Sequence, residues 1–189
     1  MANEVLLKVG TQISFADHAG DFNAAAGTSL EQGTPTNVDL ATASVSDAAG
    51  VNSDKVDLGA TRAAQYAVDA ALEFAATPAA GEVVELYWSA SPDATAANGN
   101  PGKPDGVDGA YTGDGAGTLA ESVKQMQLIG VFVCTDLPTA TGVQVGHVGV
   151  FSPAHRYGQL VLVNNSGAAM HSDDVENHVV MTPIVDEIQ

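Results

Sequence analysis

Five histidines, one cysteine and a loop of spaced aspartates are the residues whose chemistry could support a site. The histidines are His18, His147, His155, His171 and His178. None of them stands in HxH, HExxH or Cys–His spacing, the local patterns that hold zinc. A cupin-type metal site would need a histidine pair and a glutamate on early strands, yet segments 5–15 and 64–90 contain no histidine. His147, inside VQVGHVGVF, reads as a satisfied core or interface residue. Cys134 ends the apolar run LIGVFVC, so it is expected to be a buried, inert thiol. Nothing local would activate it, and a lone cysteine excludes an internal disulfide.

The nucleophile elbow GxSxG, the SxxK pair and the Walker A loop are all missing. GDGAG (113–117) has Asp114 inside it and no following lysine, which suits phosphate poorly. Asp105, Asp108 and Asp114 are separated by glycines, and calcium wants several oxygens on a flexible turn. Their spacing matches neither the EF-hand loop nor a β-roll repeat, so they are candidates by composition alone. Tyr87, Trp88 and Tyr111 could form a stacking platform for sugars, although Trp88 falls on the expected core side. The expectation from these residues is a chain that is not an enzyme and carries no cofactor.

Charge narrows the partners. Six Lys and Arg face 23 Asp and Glu, a formal charge of −17. Such a surface repels phosphate, which argues against direct nucleic-acid binding and against anionic membranes. The acidity reads first as a solubility device, and second as a match for a basic partner or divalent cations. The start MANEVLLKVG lacks a long apolar run, and no stretch reaches membrane-spanning length. The expectation is a protein made in the cytosol and soluble there.

The elements that must position these residues are short and extended. The length of 189 residues suits one domain. Apolar residues come in brief clusters between Gly, Pro, Asp and Thr, the pattern of strands and turns. Strands are expected at 5–15 (broken at Gly10), 38–41, 55–58, 64–75, 82–90, 124–135, 143–151, 159–164 and 178–188. In 64–75, Tyr66, Val68, Ala70, Leu72 and Phe74 alternate with Gln65, Ala67, Asp69, Ala71 and Glu73, and strict period two outweighs the helix preference of alanine. Val84, Leu86 and Trp88 should face the core. The run 124–135 is apolar on both faces, which predicts a central strand or one beneath another subunit. Pro183 places the last strand at an edge or a bulge. Turns are expected at PTATG (138–142) and SPAHRYG (152–158). Segment 16–36 reads as an extended arm or loop, and 91–122 as a long projecting loop. The expected fold class is all-β, a jelly-roll-like antiparallel sandwich with long loops and an extended N-terminal arm; an immunoglobulin-like sandwich is the second choice, although no cysteine pair supports it.

EFAATPAAGEVVELYWSASP (73–92), NGNPG (98–102), LIGVFV (128–133) and VFSPAHRYGQLVLVNNSG (150–167) resemble segments of virion structural proteins of tailed bacteriophages. The resemblance spans roughly residues 60–185 and rests on texture and segment order. Among such proteins the most similar role is a capsid decoration, or cement, protein. What that implies is a non-enzymatic β-rich protein on the outer capsid surface, often a homotrimer, whose partners are the major capsid protein and copies of itself. Tyr87, Tyr111, Arg156 and Tyr157 are then interface candidates. A tail or head–tail connection protein and a carbohydrate-binding sandwich are the alternatives.

Overall fold

A computed structural model describes residues 5–136 and 140–188. Its strands are β1 (Val5–Val9), β2 (Ile13–Ala16), β3 (Thr36–Asp39), β4 (Ala49–Asn52), β5 (Val56–Asp57), β6 (Gln65–Leu72), β7 (Val83–Ser91), β8 (Gly109–Tyr111), β9 (Gln127–Val133), β10 (Gln144–Phe151), β11 (Tyr157–Asn165) and β12 (His178–Ile188). One short helix, α1 (Leu119–Ser122), precedes a 3₁₀ turn at Val123–Gln125. Residues 138 and 139 of the turn expected at PTATG lie outside the described residues.

The strands form two sheets. One runs β10-β6-β12-β2-β3 with β1 also on β12; the other runs β8-β4-β11-β7-β9 with β5 also on β11. Taken as eight principal strands, with β1/β2 and β4/β5 as two interrupted ones, the chain pairs first with last and works inward. β1/β2 lies on β12, β4/β5 on β11, β6 on β10 and β7 on β9, all antiparallel. The chain is thus one long ribbon. Rolling it adds the pairs β6–β12 and β7–β11. That order is the jelly roll. One pair departs from the antiparallel expectation: β2 and β3 are parallel. Parallel neighbours cannot be joined by a tight hairpin, which accounts for the long connection 17–35.

Alternation builds the core between the sheets. Val68, Val84, Leu86, Trp88, Leu160 and Leu162 are all fully buried, as period two predicts. Aromatic rings stitch the layers together. Phe15 meets the Trp88 ring edge-on at 6.5 Å, Phe151 lies 5.6 Å from Trp88, and Tyr66 lies 6.1 Å from Phe151. Gly158 makes room for the indole, because a Cβ there would stand 2.4 Å from two of its ring atoms.

β11 is buried on both faces. Leu160 and Leu162 enter the main core, while Val161 and Val163 join a second cluster with Tyr111 and Val123. Segment 91–122 supplies that second layer. It was expected to project, yet it lies over the outer face of the β11 sheet and contains β8 and α1. Thr118 and Glu121 form a capping box that starts the helix.

One expectation about strand position changes and another narrows. The run 124–135 is not a central strand: β9 pairs only with β7 among the described residues. Ile129 and Phe132 face the core, whereas Leu128, Val131 and Val133 face outward and are exposed. An apolar outward face was read as burial, and a strand at a sheet edge has nothing of its own chain to cover it. Pro183 lies inside a sheet, opposite a bulge. The register passes from Met181↔Ile13 to Ile184↔Val9, so Gly10, Thr11 and Gln12 oppose Thr182 and Pro183. The ladder is already interrupted where proline cannot donate.

Gly158→Ala should cost about 1–3 kcal/mol of stability through overpacking against Trp88. Gly27→Ala, with no atom within 4 Å of the added methyl, should stay within about 0.5 kcal/mol. Urea unfolding midpoints of the two variants measure the contrast.

Candidate functional site

The three loop aspartates do not converge: Asp105 and Asp114 each close their own turn, and Asp108 reaches across to the residue after Leu40. Asp105 Oδ1 accepts from the Val107 amide at 3.1 Å and from Asn52 Nδ2 at 3.4 Å. Asp108 Oδ1 accepts from the Ala41 amide at 2.8 Å. Burial, followed by the nearby Asp54, Asp17 and Asp39 carboxylates, raises the Asp108 carboxyl above its ordinary range. Asp114 Oδ1 accepts from the Gly117 and Ala116 amides at 2.6 and 3.0 Å, and these bonds hold its carboxyl below the usual range.

A lysine organises this loop from within. Lys55 stands in the break between β4 and β5. Its Nζ donates to the carbonyls of Thr95 (2.7 Å), Asn98 (2.8 Å) and Asp93 (3.2 Å) and to Ser91 Oγ (3.1 Å). Its amide donates to the Gly106 carbonyl at 3.0 Å. An ammonium thus occupies a ring of oxygens of the sort a hard cation would take. Burial pulls its pKa below the ordinary lysine value, with Asp93 acting in the opposite sense.

The carboxylates that do come together are distant in sequence. Asp17, Asp21 and Asp174 bring ligand-type oxygens within 4.8 Å of one another. No histidine belongs to this group. Asp174 is buried, and its Oδ2 accepts from the Thr42 and Ala43 amides at 2.7 and 3.0 Å. Desolvation, then repulsion from Asp173, Asp174 and Asp17, raises the exposed Asp21 carboxyl. Sequence reading missed the group because its members come together only when segment 17–22 is laid against 171–178.

Each histidine meets different neighbours. His147 is exposed, not core, and its Nδ1 lies 2.9 Å from Asp69 Oδ1. His171 Nδ1 lies 2.9 Å from the Asp173 carbonyl. His18 Nε2 lies 3.2 Å from the Ser14 carbonyl. His178 is buried beneath segment 17–32. Cys134 is buried as expected, and burial, then Glu82, pushes its thiol up to about 11.

The interface candidates divide. Tyr111 is 3% exposed, and its hydroxyl donates to the Gly102 carbonyl, so it offers no free face. Tyr87 packs against the same outer cluster and donates to Glu85 Oε2 at 3.0 Å; burial first, then that carboxylate, pushes the phenol up to about 12. With Trp88 in the main core, the three aromatics share no exposed platform for a sugar. Arg156 remains at the surface. It grips Asp57 through two bonds of 2.6 Å and lies 5.1 Å over the Tyr157 ring. This grip is the first cause of the lowered Asp57 carboxyl.

The feature that sequence reading placed inside lies outside. Strands β9 and β10 meet where the two sheets converge. Their outward residues Leu128, Val131, Val133, Val145 and Val150 are 37–57% exposed. Val131, Val133, Val143, Val145 and His147 line a groove of about 370 Å³ there. On a chain of net charge −17 this is an aliphatic stripe, bordered by the His147–Asp69 pair and by Glu85, which the register sets opposite Val131.

No family model matches the chain, and comparisons with curated proteins and with solved structures return no match.

Lys55→Met should release the loop between Ser91 and Gly106. Three carbonyls and one hydroxyl lose a charged donor, an expected cost of about 1–2 kcal/mol after allowing for partial exposure. Faster amide exchange confined to 92–106, with β11 unchanged, is the readout. Asp21→Asn should raise Tm at low salt, and the gain should shrink at about 1 M salt, where the repulsion from the neighbouring carboxylates is screened within about 3 Å.

Proposed function

We propose that this chain is a non-enzymatic structural protein that assembles through the β9–β10 stripe, as a decoration protein on the outside of a tailed-phage head. The observation that carries the reading is the stripe itself. Clustered aliphatic side chains exposed on a strongly charged soluble surface mark a place where another molecule sits. The remaining support is physical. The sandwich is stiff, and its long connections 17–35 and 91–122 are fastened to their own chain. The charge of −17 suits an outward position and penalises a DNA-filled interior. A protein that binds only the expanded shell stabilises it by mass action. The phage setting, the major capsid protein as partner and the homotrimer rest on the resemblance of segments 73–92, 98–102, 128–133 and 150–167.

Val133→Asp and Val145→Asp place charges in the stripe without touching the core. Both variants should keep the β-type circular dichroism of the wild type. Each should lower the assembled mass measured by sedimentation from trimer to monomer. A wild-type monomer at all concentrations contradicts self-assembly, and rings of six or twelve favour a head–tail connection role. Antibody labelling of purified virions should decorate heads; label confined to tails, or absent from particles, contradicts the capsid reading.

A further inference from the structure

The connection between β2 and β3 is fastened to the body by hydrogen-bond acceptors on residues 175–178 and on Gln12. The Asn23 amide donates to the Val175 carbonyl at 2.9 Å. The Ala25 amide donates to both Glu176 carboxylate oxygens at 3.1 Å, and the Thr28 hydroxyl donates to Oε2. The Leu30 amide donates to His178 Nε2 at 2.9 Å. The Gln32 amide donates to Gln12 Oε1 at 2.7 Å.

His178 is the unusual member. It is 1% exposed, and Phe22 packs on it with ring centroids 5.2 Å apart. Its Nδ1 lies 2.8 Å from the Glu176 carbonyl oxygen. A carbonyl only accepts, so Nδ1 carries the hydrogen. Nε2 is then bare and can accept from Leu30. The neutral ring satisfies both contacts at once. A protonated ring cannot, because Nε2–H would face the Leu30 N–H, donor against donor, in a buried site.

We propose that His178 is an acid-sensitive latch: the neutral imidazole holds segment 17–32 against the body, and a proton on Nε2 releases it. The groups facing the ring are Glu31 and His18 from the segment and Glu176 from its own strand approach. Glu73, just past the end of β6, interacts with His171, Glu176 and Asp173. Burial dominates and lowers the imidazole pKa; the Glu176 carbonyl, Glu31 and Glu176 oppose it, and His18 adds to it. The latched form therefore binds a proton less readily than the released form. Release is negligible above the ordinary imidazole pKa of about 6.5 and grows as pH falls below it. It grows by up to about tenfold per pH unit until the latched-state pKa is reached. This latch stands apart from the assembly reading, since it involves neither β9 nor β10.

Backbone hydrogen exchange of the full chain, corrected for intrinsic rates, tests it at about pH 7.5 and about pH 5.0. The amides of Asn23, Ala25 and Leu30 should lose protection by about tenfold or more at the lower pH, while β11 amides keep theirs. His178→Gln retains an acceptor without a titrating ring, and its protection should be the same at both pH values. Glu176→Gln should retain the acid response. Unchanged wild-type protection at low pH, simultaneous loss in β11, an equal response in His178→Gln, or no response in Glu176→Gln overturns the proposal. Should His178→Gln fail to fold, imidazole nitrogen NMR of the wild type decides. An Nδ1–H tautomer whose titration coincides with loss of Leu30 protection supports the latch, and an Nε2–H tautomer overturns it.

Discussion

The approach of β9 to β10 constrains the rest of this molecule. A Cβ on Gly130 would lie 2.3 Å from the Val148 carbonyl oxygen, and one on Gly149 would lie 2.9 Å from that of Ile129. Backbones meet there, yet β9 and β10 form no strand pair among the described residues. Gly146 likewise leaves space for the Phe132 ring. The rolled ribbon reaches this corner with both strands at sheet edges. Their inward side chains, Ile129, Phe132 and Phe151, enter the shared core. Their outward ones have no cover, because the second layer built by segment 91–122 covers β11 and stops short of them. An aliphatic stripe is the result of that geometry.

The same layered logic explains where rigidity comes from. Trp88 occupies the space between sheets that Gly158 leaves, and Phe15 and Phe151 close around it. Outside the β11 sheet, Lys55 and the capping box fix the glycine-rich segment 91–122 as a second layer. On the opposite sheet, the parallel β2–β3 pair demands a long connection, and residues 175–178 hold it down. Both long irregular segments are thus fastened by polar contacts to their own chain, not left free. What remains open for a partner is the seam.

Much of the fold was legible because period-two alternation is strong where a strand has one buried face. Tyr66, Val68, Ala70 and Leu72 in β6, and Val84, Leu86 and Trp88 in β7, gave both the strand and its inward side. The four-residue β4, AGVN, has too little pattern to register, and β8 is shorter still. α1 was missed although Thr118 and Glu121 carry the capping-box spacing. β9 was misplaced because an apolar outward face looks the same whether a core or another molecule covers it. Of the candidate site, little could be read. Asp17 meets Asp174, and Leu30 meets His178, across about 150 positions of chain that only the fold brings together. Tyr111 was legible as an anchor of the loop but not as a wholly internal one.

We propose the seam between β9 and β10 as the surface through which this protein assembles. A hydrogen-exchange footprint, comparing the free chain with the chain added to the phage heads proposed as its partner, tests it most directly. The account predicts new protection in Gln127–Val133 and Gln144–Phe151. Protection confined to other strands, with exchange at the seam unchanged on binding, would contradict it.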